Sequence, residues 1–294
     1  MPAFLDLQHL LVLAISVARL CAWLVLLTLI FVPLERLFAL HPKKFFRKGL
    51  AQDVGYYFIN GLVPGLLLAI PLSLAAWGAH VIVPYRLQTL VASWPLWQRI
   101  LAGLVVGEIG FYWGHRWCHE IPFLWRFHSI HHSAEHIYFL ISARAHPLDN
   151  VFIRLCGLIP AVILGVASPL SPTGSVAPAL IILIATMWGF FIHSNLHSRL
   201  GPLEWVIATP GFHHWHHTLN DHKDHNFASM LPIMDWLFGT FYLPAKWPAA
   251  YGIEAKIPGS LGGQMIYPLH AQPAPVGLPG PAELCAGVGD GMRG

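Results

Sequence analysis

Residues 115–132 of this chain read HRWCHEIPFLWRFHSIHH, and residues 193–217 read HSNLHSRLGPLEWVIATPGFHHWHH. Each stretch begins with two histidines that are four residues apart. Farther along, each has a third histidine, then two intervening residues, and then two adjacent histidines. Residues three and four apart lie on one face of an α-helix, so each unit predicts a helix that turns several imidazoles toward one point. The ten histidines of the repeated pattern are His115, His119, His128, His131, His132, His193, His197, His213, His216 and His217.

Ten histidines in two sets of five predict a site for two metal ions. Imidazole is a preferred ligand of iron, zinc, copper and nickel, whereas magnesium and calcium take oxygen ligands. Chance is a poor explanation, because only 19 of the 294 residues are histidine. The cysteines have no CxxC spacing and are interpreted as reduced and mostly inert thiols. They are Cys21, Cys118, Cys156 and Cys285.

Nine histidines fall outside the repeat. Those that lie near it are expected at the surface or in hydrogen bonds to the ligands, rather than on a metal. These five are His136, His146, His214, His222 and His225. No role is predicted for the other four, which are His9, His41, His80 and His270.

The composition is that of a membrane protein. Hydrophobic residues make up 55% of the chain and charged residues 11%, and the mean hydropathy is +0.57. A helix needs about 20 apolar residues to cross a hydrocarbon core about 30 Å thick. The pattern predicts an all-α, multi-pass bundle of four or five spans, in which Glu108 must face protein or a polar cavity. The candidate spans are 10–33, 56–82, 100–112, 151–166 and 177–191.

Basic residues predict the orientation of the bundle. The loop after the first candidate span carries five of them, and the loop after the second has mainly Arg86, so the first loop is expected in the cytoplasm. Counting spans places residues 117–150 and everything after His193 on that side. The fifteen histidines at 115–146 and 193–225 then lie on one membrane face, in a helical, histidine-rich cytoplasmic cap. The membrane would be the inner membrane of a bacterium or the endoplasmic reticulum of a eukaryote. The five basic residues are Arg36, Lys43, Lys44, Arg47 and Lys48.

Neither a repeat of 20 to 50 residues nor a linker divides the chain. Residues 1–243 are therefore interpreted as one membrane domain, with its histidine-rich catalytic part at 100–243. Residues 244–294 are rich in proline and glycine and are expected to form a partly disordered tail. The net charge of +3 is too small and too dispersed to indicate nucleic-acid binding.

The motifs resemble those of the fatty acid hydroxylase and sterol desaturase superfamily, integral-membrane di-iron oxygenases. HRWCHEIPFLWRFHSIHHS at 115–133 is similar to the family's HR-x2-H and P-x-LW-x-xH-x2-HHS elements, and ARAHP at 143–147 is similar to its RxHP element. HSNLH at 193–197 and ATPGFHHWHH at 208–217 resemble the later histidine elements. DHNFASMLPIMDWLFGT at 224–240 is similar to the NYG and WD-x2-FGT segments.

The resemblance covers about residues 53–242 and makes the ten histidines the ligands of two iron ions, with zinc a possible substitute on purification. It also makes Arg144, His146, Asn226 and Asp235 candidates for supporting the ligands. Asp235 equally suits an interfacial carboxylate bonded to a tryptophan or a backbone amide. The chain departs from the family pattern at Phe227, Ala228 and Met234, which leaves the substrate more open than the metal site.

The activity that the resemblance implies is hydroxylation or desaturation of an unactivated C–H bond in a lipid or sterol-like substrate, with O2 and two external electrons. Ether-lipid oxidation on the same scaffold and non-enzymatic metal binding stay open as alternatives. A metal transporter would need polar ligands at mid-membrane depth, and a dihaem cytochrome would need widely spaced histidines within its spans. The tight histidine clusters at one interface favour neither class.

The chain has no glycine fingerprint, haem-attachment CxxCH or iron–sulfur cysteine set, so the electrons must come from a separate reductase, ferredoxin or b-type cytochrome. The basic residues of the first loop either dock such a carrier or only set the orientation. Four aromatic residues either line a substrate channel or belong to the interfacial belt and core. They are Trp125, Phe127, Trp188 and Trp215. Because ligation needs neutral imidazole, an accessible site is expected to lose metal below about pH 6.

Overall fold

The computed structural model describes residues 7–42, 49–167 and 176–270, and the regular elements within these ranges are all helical. The predicted all-α class is confirmed. The expected turn at 168–175, four of the loop's basic residues and Cys285 lie outside the described residues. The helices are α1 (Leu7–Leu37), α2 (Leu50–Ile82), α3 (Tyr85–Ala92), α4 (Leu96–Glu120), α5 (Pro122–His132), α6 (Pro147–Ile163), α7 (Val176–Ile192), α8 (Pro210–His216), α9 (Ile233–Phe238) and α10 (Leu261–His270), with short 3-10 helices at Phe139–Ala143, Gly201–Trp205 and Asp221–Asp224.

Helices α1 and α2 are the long apolar helices of the described chain. They contain 31 and 33 residues, which at about 1.5 Å per residue exceeds the thickness of a bilayer core. Both are long and apolar enough to cross a membrane, and α3 with α4, bent by 115° at their junction, makes a third if the pair counts as one span. Helices α6 and α7 have 17 residues each. The helices support a membrane protein, whereas the expected count of four or five spans is not confirmed.

Small residues let α4 and α6 pack closely. A Cβ at Gly110 would overlap the carbonyl of Cys156, and a Cβ at Gly157 would lie 3.0 Å from the carbonyl oxygen of Gly107. Glycine at such crossings allows two helix backbones to approach each other. This contact fixes the end of α4 that carries His115.

Glu108 is buried in α4 and faces protein, as the sequence predicted. Its carboxylate accepts hydrogen bonds from the hydroxyl of Ser229 at 2.9 Å and from the backbone amides of Met230 at 2.7 Å and Leu231 at 3.1 Å. These bonds satisfy a charged group that would otherwise be costly to bury. They also tie the chain before α9 to α4.

Residues 244–270, which the sequence predicted to be part of the tail, pack on the helical domain. The indole of Trp215 donates to the carbonyl of Lys246 at 3.0 Å, and the hydroxyl of Tyr56 donates to the side chain of Gln264 at 2.8 Å. Proline and glycine remove helical periodicity without preventing order, because the backbone of this segment bonds to the core instead. Only residues 271–294 of the expected tail lie outside the described residues.

Candidate metal centre

Four segments bring histidines together beside the end of α4. His115 and His119 lie one turn apart there, and α5, which begins with Pro122 at its first turn, presents the next three histidines. Helix α7 delivers His193 directly after its last residue. Helix α8 begins after Thr209, whose hydroxyl caps it by accepting from the Phe212 amide at 3.4 Å. It presents His213, His216 and His217.

The histidines form two buried groups, and within each group one ring nitrogen of every histidine lies within 4.8 Å of those of the others. None of these nine residues is more than 7% exposed. The groups adjoin, because the ring of His132 lies 4.5 Å from that of His217. The first group is His115, His119, His128, His132 and His216, and the second is His131, His193, His213 and His217.

Hydrogen bonds on the outer side of the rings determine where the protons are. The Nδ1 of His115 lies 2.7 Å from the carbonyl oxygen of Phe227, and the Nδ1 of His128 lies 3.0 Å from the carboxylate of Asp149. Both partners only accept, so a neutral imidazole must carry its proton on Nδ1. The unprotonated Nε2 atoms of His115 and His128 then face each other at 3.1 Å.

The second group repeats this arrangement. The Nδ1 of His131 lies 2.9 Å from the carbonyl of Arg144, and the Nδ1 of His193 lies 2.7 Å from the carbonyl of Gly189. Their Nε2 atoms face each other at 3.2 Å. Two lone pairs pointed at each other in a buried site repel unless a cation lies near both.

These nitrogens fit metal ions. Ligands held about 2.1 Å from one ion lie about 3.0 Å apart at right angles and about 3.4 Å apart in a tetrahedron. The second group shows Nε2 separations of 2.9 Å between His213 and His193 and 3.2 Å between His217 and each of these two. In the first group, the buried Nε2 of His216 has no hydrogen-bond partner. The donor set is all imidazole, which suits iron, zinc and copper.

His197, which was predicted together with the other nine histidines, does not lie in either group. Helix α7 ends at Ile192, so His193 and His197 do not share a helical face. The His197 side chain is exposed and its ring lies 5.6 Å from that of Trp247. The two predicted sets of five are therefore a group of five and a group of four. The membership also differs from the sequence order. His131, from the first stretch, lies in the second group, and His216, from the second stretch, lies in the first group.

Two carboxylates that the sequence reading missed support the first group. Asp149 accepts from Nδ1 of His128, and Asp224 accepts from Nδ1 of His119 at 2.9 Å. Such carboxylate–histidine pairs orient metal ligands and raise their basicity. A sequence signal existed, because Asp149 follows the ARAHP element and Asp224 begins the DHN segment.

Of the four predicted supporting residues, Arg144 and His146 lie around the second group and α6. The guanidinium of Arg144 donates to Asp53 at 2.8 Å, while its carbonyl accepts from His131. His146 caps α6 by accepting from the Leu148 amide at 3.2 Å.

Asn226 and Asp235 support the loop beside the first group. Asn226 has a left-handed backbone, with φ of 58°, and its side-chain amide donates to the Phe212 carbonyl at 2.8 Å. Asp235 accepts from the backbone amides of Phe227 at 2.8 Å and Ala228 at 2.9 Å. Of the alternatives for Asp235, the structure places it on backbone amides.

The remaining nearby histidines have structural contacts. His214 is fully buried and lies 3.0 Å from both the Tyr251 hydroxyl and the Ser194 carbonyl. His222 stacks on Tyr242 at 3.9 Å, and the carbonyl of His225 accepts from Nδ1 of His216. His136 is exposed.

One of the four predicted channel aromatics adjoins the centre. The ring of Trp125 lies 5.1 Å from that of His119 and 5.5 Å from that of His132. Phe227, which sequence reasoning regarded only as a departure from the family, covers the same group at 5.1 Å from His119. Phe127, Trp188 and Trp215 pack elsewhere.

Burial and mutual repulsion lower the pKa of histidines in both groups. For His131 the pKa falls to about 4, because desolvation and the neighbouring His128 outweigh the bond to the Arg144 carbonyl. The pKa values of His132, His216 and His217 are lowered by the same causes. Neutral imidazole, the form that binds metal, is therefore favoured well into the acidic range.

Fold and site together define a helical membrane protein with a buried centre of two adjoining histidine groups. Residues 100–240 match the family model described as fatty acid hydroxylase. No solved structure matches the chain.

Curated relatives are lipid-modifying proteins. The ornithine lipid hydroxylase OlsE of Rhizobium tropici is 34% identical over 60% of this chain and 52% of its own length. An alkylglycerol monooxygenase of Xenopus tropicalis is 33% identical over 59% of this chain and 36% of its own. Methylsterol monooxygenase 2-2 of Arabidopsis thaliana is 27% identical over 58% and 63%. The chain thus spans about half or less of the first two relatives.

Proposed function

We propose that this protein is a di-iron membrane oxygenase that hydroxylates or desaturates an unactivated C–H bond of a lipid or sterol-like substrate. The observation that carries the proposal is the pair of facing, unprotonated Nε2 atoms in each buried histidine group. Two iron ions, when bound there, supply the redox chemistry with which O2 and two external electrons oxidise such a bond. Hydroxylation consumes two protons as well and yields an alcohol and water.

An apolar stripe runs along the outer face of α4 toward the end of the helix that carries His115. Leu101, Val105, Ile109 and Trp117 are spaced by four or eight residues along α4 and are 40–55% exposed, so they form one outward stripe. This stripe ends on the side of α4 opposite the buried His115. Its continuity supports a substrate that is dissolved in the bilayer.

Helix α9 extends this stripe beside the histidines. The ring of Phe238 packs on Tyr112 at 5.3 Å, the ring of Tyr112 lies 6.1 Å from that of Phe227, and Phe227 lies 5.9 Å from His115. Trp236 on the same helix is 45% exposed. A row of aromatic rings thus joins the exposed apolar surface to the first group.

The protein's own contribution is to hold the imidazoles in one tautomer and to exclude water. Burial of all nine rings excludes water. Outer hydrogen bonds fix the tautomer of six of the rings, which are His115, His119, His128, His131, His193 and His216. A dry site protects a reactive oxidant from side reactions and fixes the carbon that is attacked. Trp125 and Phe227 are large side chains that cover part of the first group.

Electrons would come from a separate reductase, ferredoxin or b-type cytochrome, because no motif for a bound redox cofactor occurs in the sequence. The basic first loop supports a cytoplasmic position for the centre. An inner membrane or an endoplasmic reticulum would suit this orientation.

A second candidate, ether-lipid oxidation, is favoured by the alkylglycerol monooxygenase relatives. Hydroxylation at the carbon beside an ether oxygen uses the same centre and differs only in the substrate. Non-enzymatic metal binding is the third reading, and it predicts a centre without turnover.

The test compares lipids from cells that express the intact protein with lipids from cells that lack it. A gain of 16 mass units in one lipid class indicates hydroxylation, a loss of two indicates desaturation, and loss of the alkyl chain indicates ether cleavage. His131→Ala and His216→Ala should lower bound metal and abolish the change together. Full iron content and normal turnover in either variant would remove the ligand assignment.

His197→Ala is the matched control, because His197 belongs to the same repeated sequence pattern yet lies outside both groups. Its metal content and lipid product should equal those of the unaltered protein. Unchanged lipids with two bound metals in the unaltered protein would favour the non-enzymatic reading.

A further inference from the structure

We infer that the two metal positions are electrostatically unequal, and that Asp149 and Asp224 make the first histidine group the tighter, more electron-rich position. The inference rests on the proposed two-metal centre. It concerns residues that hydrogen bond to ligands, so they are positioning residues rather than ligands.

Both carboxylates act on the first group. Asp149 lies 3.0 and 3.2 Å from Nδ1 of His128 through its two oxygens, and Asp224 lies 2.9 Å from Nδ1 of His119. A carboxylate that accepts the outer proton makes Nε2 of the same ring a stronger donor to a metal. Two negative charges therefore lie one imidazole away from an ion in the first group.

The second group has no such support within the described chain. His131 and His193 donate to backbone carbonyls, and the buried Nδ1 atoms of His213 and His217 have no hydrogen-bond partner. The second group also has four imidazoles where the first has five. A divalent ion there is held by fewer and less basic nitrogens.

The two carboxylates are themselves unequal. The Asp149 side chain is 2% exposed, and its other neighbour is the neutral thiol of Cys118, at 3.5 Å. Its position in the first turn of α6 stabilises its negative charge through the helix dipole. The Asp224 side chain is 14% exposed and is paired with Lys223 at 3.3 Å, which offsets part of its charge. Asp149 should therefore have the larger effect.

The test follows zinc release from purified full-length protein in detergent, so that no turnover is needed. The protein is loaded with Zn²⁺ and challenged with EDTA, and the bound zinc is measured over time. The unaltered chain should bind two zinc ions that leave in two phases of equal size. Asp149→Asn should accelerate the slow phase about 10- to 100-fold and leave the fast phase unchanged. Asp224→Asn should do the same to a smaller extent.

Three further variants separate charge from fold. Asp149→Glu keeps the charge and should restore much of the slow release. Glu120→Gln removes a carboxylate next to His119 that bonds Arg116 instead, and it should change neither phase. His213→Ala should remove the fast phase alone, which assigns that phase to the second group.

Two zinc ions that leave the unaltered protein at one rate would overturn the inference while keeping the two-metal centre. Acceleration of the fast phase by Asp149→Asn would overturn it as well. Fewer than two zinc ions in the unaltered protein would instead overturn the centre itself. If Asp149→Asn fails to fold, the partly exposed Asp224→Asn still decides the question.

Discussion

Asp235 holds the loop beside the first histidine group through both oxygens of one carboxylate. These oxygens accept from the amides of Phe227 and Ala228, and the Phe227 carbonyl in turn accepts from His115. Asp235→Asn should lower the unfolding free energy by about 2 kcal/mol, because an amide group would point a donor at a buried N–H. Thermal unfolding in detergent measures this, with Glu120→Gln as the surface control. Equal stability of both variants would contradict the role.

At the residue scale, the sequence predicted ten clustered histidines and four residues that support them. Nine of the histidines lie together, and the supporting carboxylates of Asp149 and Asp224 are not among the four. Local spacing reveals imidazoles on one helical turn, such as His115 and His119. It does not reveal a hydrogen bond between His119 and Asp224, which are 105 residues apart in sequence. His197 is the opposite case. It lies four residues after His193, which is a helical spacing, but the backbone between these two residues is not helical.

At the scale of elements, α9 should lie within the bilayer interface. Leu237 on this helix is 69% exposed, and neighbouring aromatic residues such as Trp236 are typical of membrane interfaces. In Leu237→Cys, the new thiol should react slowly with a water-soluble maleimide and readily with a membrane-permeant one. Leu219→Cys, at a position 42% exposed beside a cavity of about 440 Å³ that Glu135 and Asn195 help to line, should react readily with both. Equal labelling of the two variants by the water-soluble reagent would place α9 in water.

The ends of the helices explain where the histidine spacing predicted the structure correctly and where it did not. Histidines three and four apart predicted α5 and the end of α4 correctly, because both segments are helical throughout. The pattern failed after α7, which ends at Ile192. It also failed at 244–270, where side-chain and backbone bonds to the core order a segment that lacks hydrophobic periodicity. Such long-range bonds leave no local signal in the sequence.

At the scale of the whole molecule, burial of the centre changes its expected response to acid. The pKa of His131 is about 4 in the folded protein, compared with about 6.5 in an unfolded chain. Above pH 6.5 neither state binds a proton at this residue. Between pH 6.5 and 4 the unfolded chain binds it and the folded chain does not, so the unfolding free energy of the metal-free protein falls as pH falls. For one such histidine, the unfolding free energy falls by at most about 1.4 kcal/mol per pH unit.

The zinc-loaded protein should therefore keep its metal below pH 6, where an accessible all-histidine site would release it, and should lose metal and fold together nearer pH 4. The metal-free protein should lose stability over the same range, starting below pH 6.5. Melting curves of both forms between pH 7 and 4, with zinc content measured on the same samples, test this. Release of zinc at pH 6 from a protein that stays folded would mean that water and protons reach the imidazoles directly, and the closed centre described above would be wrong.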